Sequence, residues 1–175
     1  MIMSMRPFLL LRLLTVAAIT TSIGSCNGNQ GLPVCRESEK QALLILKQDL
    51  TDPSNRLSSW VADEDSDCCH WAGVVYHHST TRIHELHLDN PDYLVHPNSS
   101  LGGFDSPQLG NLSGLSHLFL AGNYDSLKVE NLHWLSGLSR LQHLDMSYVN
   151  LSKASDHWLL VINVLAHVLS KRGDE

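Results

Sequence analysis

The chain has 175 residues, 43% of them hydrophobic and 17% charged, which allows one domain with an ordinary packed core and argues against disorder along its length. Its formal charge is −6; without residues 1–25, which hold Arg6 and Arg12 but no acid, 10 basic face 18 acidic side chains, or −8. Such a surface disfavours nucleic acid as a partner.

Residues 1–25 place Arg6 before an apolar stretch from Phe8 to Ile19, with small and polar residues following through Ser25. This is the layout of a secretory signal, cleaved after Gly24 or Ser25. Arg12 shortens the uninterrupted apolar core to Leu13–Ile19, far below a membrane span. Ile23-Gly24-Ser25-Cys26 is also similar to a bacterial lipoprotein box. No later stretch is apolar enough to cross a bilayer, so a chain without a membrane span is expected.

Four cysteines occur, Cys26, Cys35, Cys68 and Cys69. Zinc sites use two sets of closely paired ligands, and here a lone Cys35 precedes an adjacent pair. In an exported chain, disulfide chemistry is the better reading. Closing a loop of this length would stabilise the fold by about 3–4 kcal/mol. Between the cysteines, Ser38 and Gln41 have capping-box spacing, and Leu43, Leu46 and Leu50 fall on one helical face. Asp52-Pro53 ends that helix. An acidic stretch with Asp63, Glu64, Asp65 and Asp67 lacks the glycine and distal glutamate of a calcium loop and reads as solvated.

Three ordered segments then carry a resemblance: Cys35-Arg36-Glu37-Ser38-Glu39-Lys40-Gln41-Ala42-Leu43-Leu44, Asp52-Pro53-Ser54-Asn55-Arg56-Leu57-Ser58-Ser59-Trp60, and Asp67-Cys68-Cys69-His70-Trp71-Ala72-Gly73-Val74-Val75. Together they resemble the N-terminal cap of plant leucine-rich-repeat receptors, in particular receptor-like proteins of the fungal-xylanase-receptor and scab-resistance kind, which share the tandem cysteine. The resemblance implies a disulfide between Cys35 and Cys68. It also implies a fourth cap cysteine where this chain has Tyr76, so that Cys69 becomes an unpaired thiol or joins Cys26.

Downstream, Leu109, Leu112, Leu115, Leu118, Leu120 and Asn123 set a pattern that Leu135, Leu138, Leu141, Leu144 and Met146 repeat, with Val149 at the asparagine position. Ile83–Leu88 reads as a first strand tied to the cap, and Leu101–Phe104 as the outer side of the first coil. The expected fold is therefore α/β: a leucine-rich-repeat solenoid fragment with parallel concave strands under an α-helical cap. Its segments would be a signal at 1–25, the cap at 33–78, about three repeats at 79–152 and a divergent helical tail at 153–175. An asparagine leaving a strand satisfies backbone groups trapped in the tight turn; Val149 cannot.

Aligning Leu86, Leu118 and Leu144 predicts the concave ladders Glu85–His117–His143, His87–Phe119–Asp145 and Asp89–Ala121–Ser147. The first seven side chains so aligned, Glu85, His87, Asp89, His117, Phe119, His143 and Asp145, are the binding candidates. No metal site is expected, because His117, His143 and Glu85 lack a third nitrogen or sulfur ligand. Paired histidines charging between about pH 5 and 7 would make binding depend on pH. Asn98, Asn111 and Asn150 each open a glycosylation sequon.

No catalytic set emerges, and neither an enzyme nor a cofactor is expected: His84-Glu85-Leu86-His87 is one residue short of H-E-x-x-H, and strand alternation puts His84 and His87 on opposite faces. The resemblance implies an extracellular recognition module for a protein, peptide or glycan ligand, or a co-receptor, in plant defence or development. It would be secreted to the apoplast, with full-length relatives at the plasma membrane. The other reading is a soluble inhibitor or decoy of the polygalacturonase-inhibitor kind, or a receptor fragment without function. Relatives continue with more repeats, a membrane helix and a tail or kinase; here Trp158, Val161, Ile162, Leu165, Val168 and Leu169 suit an amphipathic helix instead, which suggests truncation.

Overall fold

The computed structural model describes residues 35–154, apart from 64–65, 78–79, 93, 104–106 and 125, together with the isolated Asn163. The signal segment, Cys26, Phe104 and, apart from Lys153, Ala154 and Asn163, the expected helical tail lie outside the described residues.

Helix α1 spans Glu37–Asp49 and buries Ala42, Leu43 and Leu46, the face its leucine spacing dictates. The capping-box expectation is corrected. Arg36 is the N-cap and makes no side-chain cap bond, so Ser38 lies inside the first turn and Gln41 donates to Glu37 instead. Two other contacts fix the helix entry. Cys35 is bridged to Cys68 with the Cα atoms 5.6 Å apart, and its amide donates to Asp67 Oδ1 at 3.1 Å. Glu39 turns inward, fully buried, and its Oε2 accepts the Ile83 amide at 3.1 Å.

Strand β1 (Leu50–Thr51) follows the helix, and Asp52 then holds the turn by accepting the Arg56 and Leu57 amides at 3.0 and 2.7 Å. Trp60 and Trp71 stack with centroids 5.6 Å apart, and the Trp60 indole donates to the Ala72 carbonyl. Strand β2 (Val74–His77) runs antiparallel to β3 (Arg82–His87), a pairing that leucine spacing did not reveal. Gly73 leads into it at φ 77°; a Cβ there would sit 2.3 Å from the His87 carbonyl oxygen.

Strand β4 (Gly102–Gly103) pairs antiparallel with β1, and parallel bridges Gly103–Leu127 and Lys128–Asn150 extend this second ladder from coil to coil. Strands β5 (His117–Phe119) and β6 (His143–Asp145) continue the main sheet in the order β2-β3-β5-β6. The parallel register is Leu86–Leu118–Leu144, as the leucine alignment predicts. Leu86, Leu118 and Leu120 are fully shielded, whereas Leu144 and Met146 are only partly buried.

Asn123 performs the role its position in the repeat predicts. It is fully buried, donates to the Leu88 and Leu120 carbonyls at 2.9 Å each, and accepts the Leu101 amide at 2.8 Å. One side chain thus ties three segments of adjacent coils. At the corresponding place Val149 is partly buried, and the neighbouring Asn150 supplies backbone bonds instead, its amide donating to Leu127 and its carbonyl accepting from Val129. Successive coils also touch through glycine: a Cβ on Gly137 would lie 2.2 Å from the Gly110 carbonyl oxygen.

Candidate functional site: the concave face

The parallel register sets Glu85, His117 and His143 side by side, and next to them His87, Phe119 and Asp145. These side chains stand away from the leucine core and are partly exposed. Rings link the two rows. His87 stacks on Phe119 with centroids 4.4 Å apart, Phe119 meets His143 at 4.9 Å, and His117 lies 6.0 Å from His143.

Carboxylates thread between the imidazoles. Glu85 Oε2 is 3.0 Å from His87 Nε2, its Oε1 is 3.9 Å from His117 Nδ1, and Asp89 Oδ1 is 3.8 Å from His87 Nδ1. Asp145 is on the same face, but its carboxylate accepts the Ser147 amide and hydroxyl at 3.0 and 2.7 Å. The predicted residues are therefore brought together, with Asp145 partly turned to its own loop.

His84 is the residue that sequence reasoning placed wrongly. Val75 pairs with Glu85 and Tyr76 with Ile83, so His84 is the extra residue of a β-bulge. A bulge interrupts the in-out alternation of a strand and re-aims a side chain. Ile83 and Leu86 are both buried while His84 and Glu85 between them are both partly exposed. His84 thus joins the imidazole cluster, with its ring 5.5 Å from His117 and 5.3 Å from His77. Strict alternation fails here, and a second imidazole beside His117 comes from His84. The sequence hint was Ile83 itself, three residues before Leu86 and apolar where simple alternation wants a polar residue.

Ser116 organises this end. Nearly buried, it donates its amide to the His84 carbonyl at 2.8 Å, and its Oγ lies 3.0 Å from His84 Nδ1 and 2.7 Å from His117 Nδ1. Burial lowers the His84 pKa, and the neighbouring His117 and His77 lower it further against the pull of Glu85. Burial likewise lowers that of His117, opposed by Glu85 and helped by His143 and His87. Both rings therefore carry less positive charge than an ordinary histidine at the same pH. Beside them opens a groove of about 360 Å³, with His77, His84, Ser116, Arg140 and Gln142 in its walls. A second hollow of about 300 Å³ brings Arg36, Arg82 and Arg140 together.

Asn98 and Asn111 are exposed, and Asn150 is partly buried with its Oδ1 accepting the Ser152 amide. The bridge joins Cys35 to Cys68 and not to Cys69, which packs partly buried against the core. No helix among the described residues is long and apolar enough to cross a membrane.

Residues 36–75 match the family described as leucine rich repeat N-terminal domain. The chain is similar to the receptor-like protein EIX1 of Solanum lycopersicum, 32% identical over 140 residues covering 77% of this chain and 13% of the relative. It is also similar to receptor like protein 21 of Arabidopsis thaliana, 32% identical over 139 residues, 70% of this chain and 13% of the relative. Among solved structures it is similar to the BIR2 ectodomain from Arabidopsis thaliana, with a TM-score of 0.51 and 26% identity, over 63% of this chain and 55% of that one. The chain thus spans about 13% of the length of these curated relatives.

Proposed function

We propose that this chain, a plant leucine-rich-repeat receptor-like protein N-terminal region, is an extracellular recognition module that binds a peptide or protein ligand on its concave face. Residues 1–25 direct it to the secretory route, 33–78 form the cap and 79–152 supply about three repeats. Glycans at Asn98 and Asn111, both exposed, accompany that route. The observation that carries the reading is the double row of imidazole, phenyl and carboxylate groups held at fixed spacing on adjacent strands.

Such a surface suits recognition. Its side chains sit on paired strands, so little conformational freedom is lost when a ligand docks. Phe119 offers an apolar platform flanked by His87 and His143, while Glu85 and Asp89 supply acceptors that fix orientation. Aromatic side chains at the centre of a contact patch supply much of its binding energy, the part Phe119 plays here. The glycan and co-receptor readings use the same surface.

The test is selection of a phage-displayed random peptide library on the secreted chain. Peptides enriched on the wild type are expected to lose at least about tenfold in affinity on Phe119→Ala, a truncation worth about 1.4 kcal/mol or more. Lys128→Ala, away from these strands, is expected to leave affinity unchanged. Equal binding to the wild type and the Phe119→Ala variant would remove the concave face as the binding surface.

A further inference from the structure

We propose that His84, Glu85 and His117 form a binding site for a divalent transition-metal ion of the zinc class. Each residue offers one ligand atom, and the three atoms lie within 4.8 Å of one another. The arrangement arises from two features of the fold. The bulge brings adjacent residues His84 and Glu85 to the same side of β3, and the parallel register sets His117 beside Glu85 on β5.

The donor set suits the ion. Zinc takes neutral imidazole nitrogen at about 2.0–2.1 Å and carboxylate oxygen at similar distance, which puts tetrahedral ligands about 3.3 Å apart. The three groups therefore close by about 1.5 Å at most, a movement within reach of side-chain rotation because all three are partly exposed.

The surroundings supply the outer contacts that metal ligands require. His87 Nε2 holds the second Glu85 oxygen at 3.0 Å and steers that carboxylate into place. Two imidazoles and one carboxylate leave a coordination position for water, or for a carboxylate or imidazole of a docked ligand entering from the adjoining groove. Calcium and magnesium, which demand a shell of oxygens, fit poorly.

The site does not depend on the chain being a recognition module, because metal affinity is measured with no ligand present. The experiment is calorimetric titration of the untagged, secreted full chain with zinc chloride, with magnesium chloride as comparison and Co2+ absorption as the geometric readout. One zinc per chain is expected, with no heat from magnesium. His84→Gln, Glu85→Gln and His117→Gln should each weaken zinc at least about tenfold and diminish the visible Co2+ bands. His133→Gln, on an exposed turn elsewhere, should leave both unchanged. Circular dichroism checks each variant's fold, and the isosteric Glu85→Gln keeps the test informative if a histidine variant is unstable. No binding at about 1 mM zinc would overturn the proposal. So would zinc affinity that survives the combined replacement of His84 and His117.

Discussion

Replacing Asn123 with alanine tests whether a single buried amide clamps the coils. The substitution strips partners from the Leu88 and Leu120 carbonyls and from the Leu101 amide, all bonded at 2.8–2.9 Å, and Asn123 is fully shielded from water. A buried polar group left unsatisfied costs about 1–3 kcal/mol, with carbonyls at the lower end because of their second lone pair. Two carbonyls and one amide sum to about 3–5 kcal/mol. That is a large share of the about 5–15 kcal/mol that holds a domain folded. At about 3–5 °C per kcal/mol, the expected fall in Tm is at least about 10 °C.

Urea unfolding followed by tryptophan fluorescence reads the loss, since Trp60, Trp71 and Trp134 are buried. Asn90→Ala is the calibrating variant: Asn90 is nearly as buried, but its amide makes two longer bonds of 3.3 Å, to the His96 carbonyl and Ser100 Oγ. It should cost about half as much or less. Hydrogen exchange at the Leu101 amide should accelerate only in the Asn123 variant. A loss under about 1 kcal/mol, or an equal loss for Asn90→Ala, would refute the clamp.

A buried carboxylate and a half-buried one, Glu39 and Asp67, should give opposite pH responses. Burial raises the Glu39 pKa above 4.5, outweighing the Ile83 amide and Arg82, so its folded form holds the proton more tightly and stability falls as pH rises through the raised value. Glu39→Gln keeps an acceptor for Ile83, and its Tm relative to wild type should improve from pH 4 to pH 7; a flat or falling difference would contradict the shift. Burial pushes the Asp67 pKa up, but the Cys69 and Cys35 amides outweigh it and leave it below 3.8, so its stabilisation is present above that value and lost as pH falls through the lowered one. Asp67→Asn should cost about 1–2 kcal/mol at pH 7 and shrink the acid-induced loss. Gly73→Ala puts a Cβ 2.3 Å from the His87 carbonyl oxygen at a positive φ, and should destabilise by at least about 2 kcal/mol in chemical denaturation. Mass spectrometry after glycosidase treatment should find Asn98 and Asn111 occupied more fully than Asn150, whose Oδ1 accepts the Ser152 amide.

Much of this architecture was legible because leucine spacing in a repeat is a direct record of packing. A residue that must meet its counterpart in the next coil recurs at the period of the coil, so aligning Leu86, Leu118 and Leu144 gives the parallel register at once. Concave neighbours follow without further information: once Leu118 points inward, His117 and Phe119 point outward. Asn123 was equally readable, because a polar side chain at the end of an apolar run has a backbone to satisfy. What stayed hidden depends on contacts that have no period. The capping box failed because the helix entry is set by partners far along the chain, Cys68 and Asp67 on one side and Ile83 on the other, and local spacing carries no trace of them.

His84 failed for a related reason, and the failure locates the interesting chemistry. Strand alternation holds while each residue faces one partner, and among the described residues β3 is the parallel-ladder strand that must also pair with the antiparallel β2 of the cap. Reconciling the cap hairpin with the repeat register needs an extra residue, and the bulge absorbs it at His84. The junction between cap and repeats is thereby where two adjacent side chains face the same way, a placement no regular strand provides. A ligand set of two imidazoles and a carboxylate is a product of that mismatch. Further repeats of regular spacing would widen the concave surface without reproducing it. Any recognition this face performs therefore has, at its cap end, a bulged pair, His84 and Glu85, with no counterpart in the regular registers of β5 and β6.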